Sequence, residues 1–111
     1  MRKDDQVRLR HMLDAAREAV TFVQGRRRAD LDTDRMLALS LVKEIEIIGE
    51  AANQIAKTTR EELPEIPWAD IIGMRNRLVH AYFDINLEIL WQTVEQDLPP
   101  LIRALERVLK G

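Results

Sequence analysis

The chain has 111 residues, 46% hydrophobic and 32% charged, with a net charge of −2 and no cysteine. That length suits one domain around one core, so the whole of 1–111 is read as a single domain. The balance is that of a folded chain rather than a disordered one. The missing cysteine removes disulfides, thiolate metal sites and a cysteine nucleophile.

The charge is unevenly spread. Residues 1–28 hold eight Lys/Arg and four Asp/Glu, a net of +4, leaving nine and fifteen, a net of −6, for the remainder of the −2 chain. Contact with a polyanion therefore requires a local basic patch, and Arg26, Arg27 and Arg28 form one candidate beside the plainer reading of a solvated turn. The N-terminal stretch is charged, with no apolar signal core after it, and no apolar run approaches the ~18–20 residues of a bilayer span. These features predict a cytoplasmic protein with no membrane attachment.

Leu9, Met12, Leu13, Ala16, Val20 and Val23 recur at three- and four-residue steps and predict a first helix over 5–24, stopped by Gly25. A second helix is expected over 33–58, capped by Asp32 or Thr33. Its apolar residues Met36, Leu37, Leu39, Leu41, Val42, Ile45, Ile47 and Ile48 point nearly all round, as in a helix central to a bundle or shared with a second subunit. Gly49 lies in its interior, at a position that allows close helix contact. Residues 59–67 read as a connector, because Pro64 and Pro67 bias the residues before them away from helix. A third helix is expected over 67–82, then a short turn at Asp84-Ile85-Asn86. A last helix over 87–109 carries Leu87, Trp91, Val94, Leu98, Leu101, Leu105 and Val108 on one seam, with a kink at Pro99-Pro100. The sum is an all-α, antiparallel bundle of four to five helices. Trp68, Trp91 and the four methionines are assigned to the core, and His11 to the surface.

One stretch combines the residue types of phosphodiester chemistry: Arg75-Asn76-Arg77-Leu78-Val79-His80-Ala81-Tyr82. Arginine is a fixed cationic fork matched to phosphate oxygens, and histidine carries protons near neutral pH. On a straight helix Arg75 and Tyr82 lie on nearly one line and Asn76 and His80 on another, while Arg75 and His80 are separated by roughly 140°. Either Arg75 bends round, the helix unwinds near His80, or a second chain completes the site. In-line attack by a 2′-hydroxyl needs one proton acceptor and one donor, and each chain offers one suitably placed histidine, which favours two chains. The plain alternatives are that Arg75 or Arg77 pairs with Glu44, Glu46 or Glu50, that His80 complements a helix end, and that Tyr82 is a core aromatic. No histidine pair has metal-ligand spacing and no glycine-rich phosphate loop is present, so no metal or cofactor is expected.

The run Arg75 to Tyr82 resembles the R-x4-H-x-Y motif of HepT-type proteins in the HEPN family. Ile48-Gly49-Glu50-Ala51-Ala52 and Pro67 to Met74 resemble the flanking segments. The resemblance implies a helical homodimer and a metal-independent ribonuclease toxin, with Arg75 and His80 as the catalytic pair and Asn76 as an orienting partner. Arg77 is a further candidate phosphate contact. The resemblance also implies a cognate MNT-type nucleotidyltransferase antitoxin that transfers AMP to Tyr82. Two other classes stay open: a non-catalytic helical subunit that binds a nucleotide or positions the nucleotidyltransferase, and a plain dimerisation module.

Overall fold

A computed structural model describes residues 1–110 apart from Tyr82 and Phe83, with His80 and Ala81 described by backbone alone. The elements are α1 (Lys3–Phe22), α2 (Asp30–Thr33), α3 (Arg35–Gln54), α4 (Lys57–Glu62), α5 (Trp68–Leu78), β1 (Val79–Ala81), β2 (Asp84–Ile85), α6 (Leu87–Gln92), a π-helical turn (Thr93–Asp97) and α7 (Leu98–Lys110). The long helices α1, α3 and α5 and the continuous segment from α6 through α7 match the expected helices. Their pairing is antiparallel: the start of α1 meets the α3–α4 corner, Arg17 of α1 meets Glu106 of α7, and Glu46 and Gly49 of α3 lie against Arg75 and Ile71 of α5.

The predicted stripe of α1 is buried at Leu9, Met12, Leu13, Ala16 and Val23. Of the apolar residues predicted for the second helix, Leu37, Leu41, Val42, Ile45 and Ile48 are buried on α3, while Met36 and Leu39 remain exposed, Met36 at 81%. The expectation of four core methionines thus holds for Met12 and Met74 and fails for Met36 and Met1, which lie on the surface. Trp68 and Trp91 are half-buried, packed against the core edge, and the Trp68 indole N–H donates to the carbonyls of Arg60 and Leu63. His11 is exposed, as expected.

Helix boundaries differ from the predicted ones for identifiable reasons. Gly25 was expected to stop the first helix and takes a left-handed turn at φ +74°, but α1 already ends at Phe22. Asp34, rather than Asp32 or Thr33, caps α3 by accepting from the Leu37 N–H at 3.0 Å. The second helix breaks at extended Ile55, and α4 forms inside the supposed connector. The break is stabilised from far along the chain: the buried Asp5 carboxylate accepts from the Ala56 N–H at 3.2 Å and the Thr59 hydroxyl at 2.6 Å. The distortion expected at Pro99-Pro100 appears as the π-helical turn just before them. Neither proline has an N–H, and each ring crowds the carbonyl four residues back, so a wider turn there relieves the clash.

Candidate active site

The third helix was expected to reach residue 82, yet α5 ends at Leu78 and the chain enters an antiparallel two-stranded ribbon. Val79 is extended, at φ −123° and ψ 109°, and pairs with Ile85. The Leu78 carbonyl, left open at the helix end, accepts from the Asn86 N–H at 2.7 Å. Asn86 then caps α6 through its side chain, which accepts from the Ile89 N–H at 3.0 Å. This ribbon is where unwinding near His80 occurs. The 140° separation of a straight helix therefore does not govern the pair, since Arg75 sits on helix and the His80 backbone on strand. The His80 side chain and all of Tyr82 lie outside the described residues, so the predicted Arg75–His80 pairing and the Tyr82 site belong to the proposal below.

Arg75 lines a cleft of about 350 Å³ between α3 and α5, together with Asn76, Ile72, Glu46, Gly49, Glu50 and Asn53. Gly49 of α3 packs against α5 at this point: a Cβ there would stand 3.5 Å from the Ile71 carbonyl oxygen, an ordinary contact that does not itself require glycine. Arg75 Nε lies 3.8 Å from Glu46 Oε1, and both side chains are partly exposed. That separation exceeds a hydrogen bond, and such surface pairs contribute little, typically under ~1 kcal/mol. The contact with Glu46 therefore does not lock the guanidinium in place. Among the described lining residues the cleft holds two carboxylates and one guanidinium.

Arg77 does not join Arg75. It turns back along α5, donating to the Asp70 carbonyl at 3.2 Å, with its guanidinium 3.8 Å from the Asp70 carboxylate. It lines a separate groove of about 680 Å³ between α5 and the α6–α7 segment. Arg26 and Arg28 are also engaged. Arg26 bridges to Asp34 at 2.7 Å and Asp30 at 3.4 Å, and Arg28 to Glu88 at 2.9 Å and Asp32 at 3.1 Å. These contacts hold Asp34 below the usual carboxylate range, chiefly through Arg26. The arginine run thus knits the α1–α2 turn to α3 and α6. Asn53 escaped sequence reasoning because it enters the cleft only through the packing of α3 on α5. The contact with Glu46 is one of the plain pairings that the sequence allows Arg75. No group of three or more His, Asp or Glu among the described residues is arranged to hold a metal ion.

The description "Ribonuclease HepT-like" fits residues 12–108 of the sequence. The chain belongs to the HepT-like ribonuclease family. A protein of Caldanaerobacter subterraneus named as a candidate RNase is 34% identical over 102 residues, covering 92% of this chain and 91% of its own. A second candidate RNase, from Methanocaldococcus jannaschii, is 31% identical over 107 residues, covering 96% and 98%. A probable ribonuclease HepT of Thermococcus cleftensis is 37% identical over 81 residues, covering 73% and 74%. No solved structure matches this HepT-like chain.

Proposed function

We propose that this HepT-like protein is a cytoplasmic, metal-independent ribonuclease toxin, active as a homodimer, with Arg75 and His80 as its catalytic pair. The observation that carries the reading is the position of Arg75 in an open cleft, where its one ion pair among the described residues is a loose contact with Glu46, on the helix that ends just before the strand carrying the His80 backbone. One His80 copy takes the proton of the ribose 2′-hydroxyl and O2′ attacks phosphorus. The P–O5′ bond breaks, and the second copy protonates the departing 5′-oxygen, leaving a 2′,3′-cyclic phosphate. Arg75 neutralises the charge that gathers on the phosphorane oxygens, and Asn76, in the same cleft, orients the phosphate. A second chain packed on this face of α3 would cover Met36 and Leu39, which are exposed three residues apart.

In this reading a nucleotidyltransferase antitoxin silences the protein by joining the α-phosphate of ATP to the Tyr82 oxygen, with release of pyrophosphate. The attached AMP adds bulk and negative charge to the motif that has to hold substrate phosphate. The excess of carboxylates in the cleft favours one alternative, a non-catalytic subunit that positions the nucleotidyltransferase. Cleavage before and after modification separates the two. Unmodified protein should cut RNA to cyclic-phosphate ends, lose that activity on gaining one AMP, and keep it as Tyr82→Phe. Intact RNA after incubation with unmodified wild type would favour the non-catalytic subunit.

A further inference from the structure

A ribonuclease with a net charge of −2 and a cleft richer in carboxylate than guanidinium needs another surface to capture a polyanion. The arginine run supplies little of it, because Arg26 and Arg28 are neutralised by Asp30, Asp32, Asp34 and Glu88, which leaves Arg27 as its one exposed arginine without an ion pair among the described residues. The cationic surface lies elsewhere, along α1 and α7.

Two adjoining concavities, of about 630 and 410 Å³, share Arg10 and Leu109 and form one groove between these antiparallel helices. Its charged and titratable lining is Lys3, Arg10, His11, Arg17, Lys110 and Glu106. Lys3, Arg10 and Arg17 are seven residues apart in turn, so they stand on nearly one line of α1, spaced by about 10.5 Å at 1.5 Å per residue. Arg17 is tied to Glu106 at 2.6 Å, whereas Lys3, Arg10 and Lys110 make no ion pair among the described residues. Four cations against one carboxylate give the groove +3 with His11 neutral, in a chain whose remaining residues must then total −5. Such local segregation creates a positive field that the net charge conceals.

We infer that the α1–α7 groove docks the phosphate backbone of an RNA strand, at a site separate from the α3–α5 cleft. The inference rests on the ribonuclease reading for its choice of polyanion, and on charge complementarity for its place. The molecule extends 43 Å along its longest axis, about a dozen nucleotides at ~3.4 Å each along a stacked strand. Long RNAs can therefore use the groove and the cleft together, whereas di- and trinucleotides reach the cleft alone.

The test measures binding of a labelled, single-stranded 2′-O-methyl RNA of roughly 30 nucleotides, which no 2′-hydroxyl attack can cut, against salt concentration. Wild type is compared with Lys3→Ala/Arg10→Ala/Lys110→Ala, whose three sites are exposed, with thermal melting to verify folding. The groove predicts that the variant loses affinity at least tenfold at low salt. Its salt slope should fall by about 2, at ~0.7 per single-strand phosphate contact. Cleavage of a dinucleotide by the same variant should match wild type, while its KM for long RNA rises. Equal affinity and slope in the two proteins would overturn the groove, as would wild type that ignores RNA yet binds phosphatidylserine vesicles. The two readings fail separately. Wild type that cleaves unmodified RNA while the variant binds normally rejects the groove alone. Groove-dependent binding with no cleavage by wild type rejects the ribonuclease alone.

Discussion

Arg75 and Glu46 face each other across the α3–α5 cleft with 3.8 Å between Nε and Oε1, close enough to attract and too far to bond. The pairing holds the guanidinium in the cleft without consuming it. Arg75→Ala should then reduce RNA cleavage by about 10²–10³-fold, the scale of losing one preorganised transition-state donor, with the fall mainly in kcat. Glu46→Gln removes a competitor and should leave kcat within a few-fold while KM stays level or declines. Steady-state kinetics on one RNA substrate distinguishes these patterns, and a Glu46→Gln loss comparable to that of Arg75→Ala would make the carboxylate part of the chemistry.

Gly49→Ala tests how close the α3–α5 contact is. A Cβ at this position meets the carbonyl oxygens of Ile71 and Ile72 at 3.5 and 3.8 Å, which is ordinary contact. The substitution should therefore recover much of the helix propensity of alanine and stabilise the protein by up to about 1 kcal/mol in chemical denaturation. Destabilisation would mean that the helices are closer than these distances state.

The Asp5 carboxylate, itself 1% exposed, satisfies both the Ala56 N–H and the buried Thr59 hydroxyl. Asp5→Ala leaves two polar groups without their acceptor and should cost about 2–3 kcal/mol of stability. The Thr59 hydrogen bond is the main cause that holds Asp5 below the usual carboxylate range. Its contribution is present at neutral pH and is lost as acid protonates it, so the gap between wild type and variant should narrow in acid.

Glu44 behaves in the opposite sense. It is 5% exposed, and Oε2 has no hydrogen-bond partner among the described residues. Burial first, and then the neighbouring Glu18 carboxyl, push it up to about 8. The folded protein thus retains a proton between pH 4.5 and about 8 that the unfolded chain releases, and stability drains as pH rises through that window. Glu44→Gln should behave much like wild type near pH 5 and exceed it by about 1–3 kcal/mol near pH 9. Denaturation across pH reads this directly, and parallel curves for the two proteins would exclude the retained proton.

The helical plan was legible because the apolar residues of α1, α3 and α7 repeat with helical spacing, and Gly25 and the prolines punctuate it. What escaped the sequence depends on residues distant along it. Asp5 caps a helix start at Ala56, and Asn86 closes the end of α5 at Leu78, so neither the break at Ile55 nor the strand at Val79 is written in local pattern. Arg75 and Arg77 looked like equal members of one motif. Only the end of α5 and its two neighbours reveal that they face different grooves. The arginine run drew notice as a basic patch, but its carboxylate partners are contributed by α2, the residue that caps α3, and α6.

In the function proposed above, the Arg75–His80 pair cuts RNA without a metal. The most direct measurement is cleavage by purified protein in excess EDTA, with Tyr82 shown unmodified by mass spectrometry, for wild type, Arg75→Ala and His80→Ala side by side. The account predicts cleavage by wild type to cyclic-phosphate ends and near-complete loss in both variants. Cleavage that survives His80→Ala, or that appears only when a divalent metal is restored, would contradict it.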